Sequence, residues 1–192
     1  YQKDKHPHHA KLLRRMFCRW ARRRYRNDAA LQRAWRNKES LASGELHLHP
    51  PYQLQGKGQL DPRKGDFIRF LADVQRGFYE RRQQRLRKLG YKGVTVTTAW
   101  RAAGTIADPA NLYCDDAMDM IDRHNYFGGG AGGHGIANGA VKHASHLDRP
   151  GGGILSSGFY QIEDKPFSMT EWTQKPPNQW KAEIAPLVAF YG

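Results

Sequence analysis

The stretch KPFSMTEWTQKPPNQW, residues 165–180, decides how the chain is read. Pro166, Phe167 and Met169 form a short apolar run that reads as a strand entering a core. The run ends on a carboxylate, Glu171, with the indole of Trp172 directly behind it, and Pro176 and Pro177 stop anything from continuing. A charge at the tip of a buried strand is costly unless a partner or a task accounts for it. The plain alternative is that Glu171 caps the last helix or pairs with an arginine, and that the tryptophans are core.

Two more stretches upstream read as strands. GVTVTTAW (93–100) is β-branched and compact, and AMDMIDRHNYF (117–127) contains a second such run. Helical spacing of apolar residues runs over 9–26, over AALQRAW (29–35) with Asp28 as its expected N-cap, and over 66–89 with a stop at Gly90. A last helix is expected over 177–192, with Pro177 in its first turn and Pro186 as an interior kink. Residues 36–64, 101–115 and 128–165 read as loops, with a short turn of helix at most in PGGGILSSGFY (150–160).

Helices interleaved with strands point to an α/β protein built on a parallel sheet, in which ligands sit beyond the carboxyl ends of the strands. The residues expected there are Trp100, then Asp122, His124 and Tyr126, then Glu171 with Trp172. Tyr126 could donate to Glu171 and keep it ionised, as a nucleophile requires. His124 offers a donor to a hydroxyl-bearing substrate, Asp122 could orient it, and the two indoles offer flat faces for sugar rings.

Composition bounds the alternatives. The 192 residues carry 31 Lys+Arg against 18 Asp+Glu, a net charge of +13. The basic residues gather at 14–26 and 81–88 and interleave with apolar residues at helical spacing, as on the solvated outer faces of packed helices. No zinc-finger, homeodomain or RNP-type pattern accompanies them, so no specific nucleic-acid partner is expected. No apolar run approaches the length of a membrane span. Cys18 and Cys114 stand outside any CxxC motif. His124, His134, His143 and His146 lack metal-ligand spacing such as HExxH, and no metal or other cofactor is expected. The glycine-rich GGGAGGHG (128–135) lacks the GK[ST] ending of a phosphate loop, and HPHH (6–9) reads as a loop. Oligomeric state and compartment leave no signature.

With these residues in place, the chain resembles the second half of a clan A glycoside hydrolase, a (β/α)8 barrel like those of families 5 and 42. MFCRWARRRYRNDAALQRAW (16–35) is similar to the helix after strand four of such enzymes. Residues 66–100 resemble their next βα connection and fifth strand. DMIDRHNYF (119–127) looks like a sixth-strand H-x-Y motif, and KPFSMTEWTQKPPNQWKAE (165–183) looks like the seventh strand.

The resemblance implies a single incomplete catalytic domain over 1–192, a partial (β/α)8 barrel of roughly strands five to seven with flanking helices. It implies a retaining glycosidase of poly- or oligosaccharides with Glu171 as nucleophile, assisted by Tyr126 and His124. Trp100, Trp172 and Asp122 would bind the carbohydrate. The acid/base glutamate, typically in an Asn-Glu pair at the end of strand four, would precede residue 1, since no such pair occurs here. A complete barrel takes about 250 residues, so the chain reads as a fragment and by itself as a poor catalyst. The competing readings are a non-catalytic carbohydrate-binding barrel and a basic nucleic-acid-binding protein.

Overall fold

A computed structural model describes residues 6–49, 61–100, 107–130 and 139–191. The chain divides into two compact units, Tyr1–Phe78 with Ala102–Cys114, and Tyr79–Arg101 with Asp115–Gly192.

The first unit is helical. Helix α1 spans Pro7–Tyr25, α2 spans Asp28–Trp35 and α3 spans Pro62–Lys88, the last ten residues of α3 belonging to the second unit. Leu13, Phe17, Trp20 and Ala21 recur at helical spacing and are the buried face of α1. Phe17 is fully buried, its ring 5.7 Å from Trp35 and 5.1 Å from both Phe67 and Phe70. Burying such a ring contributes about 1.5–3 kcal/mol. The opposite side of α1 is solvated, with Arg15, Arg19, Arg23 and Arg26 exposed, as the charge pattern predicts.

Helix ends depart from the sequence reading at three points. Helix α1 begins at Pro7, inside the HPHH stretch expected as a loop, since proline suits a first helical position. Asn27, not Asp28, caps α2 by accepting from Ala30 N at 2.9 Å. Asp28 instead accepts from Leu41 N at 2.8 Å and from the Ser40 hydroxyl. Helix α3 begins at Pro62 rather than Asp66, because Asp61 accepts from Lys64 N at 2.8 Å and proline suits the first helical position. It stops at Gly90 as expected. Tyr91 N reaches Leu86 O, Gly90 N reaches Arg87 O, and Gly90 takes a φ of +89°, a left-handed cap that glycine adopts freely.

The second unit holds two parallel strands, β1 (Ile121–Phe127) and β2 (Phe167–Gln174), which make it an α/β arrangement. The third expected strand, 93–100, is not one. Among the described residues it meets β1 through one backbone bond, His124 N to Ala99 O (3.2 Å), with a second just ahead of the strand, Asp119 N to Thr95 O (3.1 Å). Its threonines bond to carboxylates instead of completing a ladder: Thr95 N and Oγ1 donate to Asp119, and Thr97 Oγ1 donates to Asp115 at 2.5 Å.

A 3-10 helix, Gly153–Tyr160, replaces the loop expected between β1 and β2. Its first residue must be glycine: φ is +53°, and a Cβ would meet His146 Nδ1 at 2.1 Å. Helix α4, Asp108–Asp115, stands ahead of β1 where a loop was expected over 101–115; after β2, a 3-10 turn (Lys181–Glu183) leads into the last helix, α5, Ile184–Tyr191. Pro186 lies in the first turn of α5, where its missing donor costs no helical bond, so no kink results. Ile154, Ile184 and Leu187 form the small core here. Among the described residues, no helix is long and apolar enough to cross a membrane.

Candidate active site

Strand β1 presents two faces. Asp122, His124 and Tyr126 share one, and Arg123, Asn125 and Phe127 the other. The second face anchors the strand. Arg123, 2% exposed, pairs with Asp115 at 2.8 Å, and Asn125 Nδ2 donates to Gly153 O and Ser157 Oγ at 3.0 Å each. The first face carries the chemistry.

Glu171 is not at the strand tip. Three residues of β2 follow it, and it stands opposite His124. The Tyr126 hydroxyl donates to Glu171 Oε2, and His124 Nδ1 lies 3.2 Å from the same hydroxyl and 3.5 Å from the carboxylate. A phenol has one hydrogen. Given to Glu171, it leaves the phenol oxygen to accept from His124 Nδ1–H. The hydrogen bond to Glu171 pushes the Tyr126 phenol above its ordinary ionisation range, with desolvation adding to it. Tyr126 therefore stays a donor at any neutral pH.

Trp100 stands over this pair, its ring 5.5 Å from His124 and 5.8 Å from Tyr126. The indole is 60% exposed, so its face is open to a ligand. Trp100, His124 and Tyr126 line a cavity of about 390 Å³ together with Arg123, Asn125, Ser156 and Tyr160. Its volume falls in the range of small-molecule sites. Hydroxyls, an amide and aromatic rings line it beside Arg123, whose charge is already paired with Asp115, a set able to hydrogen-bond a polyol.

Two expected substrate contacts are placed otherwise. Trp172 follows Glu171 directly and pairs with Asn125, so it belongs to the opposite face of the sheet. Asp122 is buried and occupied: it accepts from Ser168 Oγ (2.8 Å), Thr170 N (3.1 Å) and Thr170 Oγ1 (2.7 Å). These bonds go to β2 and not to His124. Of the histidines considered for metal, His143 Nδ1 accepts from Gln179 N, and fully buried His146 accepts from Ile154 N at 2.9 Å. His134 lies outside the described residues.

The sequence reading missed Arg123, Asp115 and the 3-10 wall of Ser156 and Tyr160. Arg123 stands between Asp122 and His124, and an arginine on a strand otherwise buried at that point was the available signal. The wall follows a glycine run that carries no periodicity.

No curated protein and no solved structure matches this sequence. The family model described as beta-galactosidase does match, over residues 1–185, and the chain therefore belongs to glycoside hydrolase family 42.

Proposed function

We propose that this chain carries the nucleophile side of a retaining glycosidase active site, that its sheet is part of a (β/α)8 barrel, and that its substrate is a neutral β-galactoside. The single observation behind this reading is the Tyr126 hydroxyl bonded to Glu171, with the open indole of Trp100 beside it. The family description supports the choice of galactoside.

In the reaction, a Glu171 oxygen attacks the anomeric carbon as the bond to the leaving oxygen breaks. The leaving oxygen takes a proton from a second carboxylic acid, which retaining enzymes hold about 5–5.5 Å from the nucleophile. The resemblance puts that acid at the end of strand four. Water activated by the same group then attacks the glycosyl ester, releasing the sugar and the Glu171 carboxylate. Tyr126 and His124 hold the carboxylate aimed, and Trp100 takes the apolar face of a sugar ring.

The test is Glu171→Gln in the full-length protein, assayed with a nitrophenyl β-galactoside and with lactose binding. Hydrolysis should vanish while lactose still binds. Undiminished hydrolysis removes Glu171 from the mechanism, and a parent protein that binds lactose without hydrolysing any β-galactoside supports the binding-only reading.

A further inference from the structure

The face of β2 that carries Glu171 is set by a single irregularity. Paired residues in a parallel ladder share a face, and Arg123 pairs with Met169 while His124 pairs with Glu171. One extra residue, Thr170, is therefore accommodated in β2 as a bulge. In a continuous register Thr170 would stand opposite His124. Glu171 would then stand opposite Asn125, on the face away from Tyr126.

The bulge is held by one side chain. Asp122, one step before the irregularity on β1, accepts from the backbone and the hydroxyl of Thr170 and from Ser168. Both carboxylate oxygens are engaged on this turn of chain, and Asp122 is buried there. We propose that Asp122 is a positioning residue that locks the Thr170 bulge and thereby turns Glu171 onto the face of His124 and Tyr126. The value of this for catalysis rests on Glu171 being the nucleophile, but the geometry can be tested without any turnover.

The readout is the Tyr126 phenol, followed by NMR with tyrosine labelled at the ring carbon bearing the hydroxyl. Tyr126→Phe assigns the resonance among the nine tyrosines, and Glu171→Gln shows how it titrates once the carboxylate is gone. Asp122→Ala should let β2 slip into continuous register, and the Tyr126 titration should fall back toward the ordinary tyrosine value of about 10. Deleting Thr170 in the Asp122→Ala background makes the ladder regular with Glu171 still opposite His124. That double variant should restore the raised titration although the clamp is absent.

Asp122→Ala with an unmoved Tyr126 titration overturns the proposal, as does a folded double variant that fails to restore it. Should Asp122→Ala not fold, the double variant decides alone. Loss of hydrolysis in Glu171→Gln with Tyr126 unmoved in Asp122→Ala removes only the positioning role. Unchanged hydrolysis in Glu171→Gln with the Tyr126 shifts as expected removes only the nucleophile.

Discussion

Replacing Arg123 with methionine tests how the site is anchored. The guanidinium is 2% exposed and Asp115 is 0% exposed, with 2.8 Å between them. The same guanidinium donates to Asp122 O (2.7 Å) and Thr98 O (3.4 Å), so it ties β1 to the segment that carries Trp100. Methionine fills much of the volume but leaves the fully buried Asp115 carboxylate without its guanidinium partner. Removing one member of a buried pair costs about 3–5 kcal/mol, mostly from the stranded charge. With a denaturant slope of about 2 kcal/mol per molar, the urea midpoint should fall by about 2 M. Combining Arg123→Met with Asp115→Leu removes the stranded charge and should recover most of the loss, which separates charge burial from lost packing. Urea unfolding followed by near-UV circular dichroism measures each variant. A single variant within about 0.5 kcal/mol of the parent would refute the reasoning.

Tyr126→Phe keeps the ring against Trp100 and removes the donor to Glu171 together with the oxygen that accepts from His124. It should lower kcat/KM for a β-galactoside about tenfold, the low end for a hydrogen bond to a charged group because the carboxylate is more than half exposed; lactose affinity should change little. His146 gives a pH dependence. Burial holds its imidazole below the ordinary histidine range, the nearby Glu183 carboxylate opposing this only in part. Below the ordinary value of about 6.5 the unfolded chain takes the proton first, so this contribution to stability is present above that pH and is lost as pH falls. The melting temperature should therefore drop more between pH 7.5 and 5.5 (chosen as roughly one unit either side of that value) in the parent than in His146→Asn, and equal slopes would exclude the contribution.

The first three helices were legible because their signal is local, whereas α4, eight residues inside an expected loop, was not. Leu13, Phe17 and Trp20 announce a face without reference to anything distant, and Gly90 announces an end. The strands were legible only as far as their own composition goes. Val94 to Thr98 look like a strand, but Asp119, 24 residues on, takes the N–H and hydroxyl of Thr95, and Asp115, 18 residues on, takes the hydroxyl of Thr97. The candidate site divides the same way. Tyr126, His124, Glu171 and Trp100 were found from residue type and order, and they do meet. Trp172 and Asp122 were misplaced because a register belongs to two strands at once. Adjacent polar residues at 170 and 171 break the period of two and are the one local trace of the bulge.

The two-stranded order has a consequence for the chain's behaviour in solution. Among the described residues, β2 has a ladder partner on one flank only, and Thr170, Glu171 and Trp172 are exposed in succession. A bare border of this kind invites another extended segment to zip onto it, whether the next strand of a closing sheet or a stray copy of the same molecule. The Glu171 charge then acts as a gatekeeper against fibre-like stacking. Neutralising it for enzymology also removes that guard.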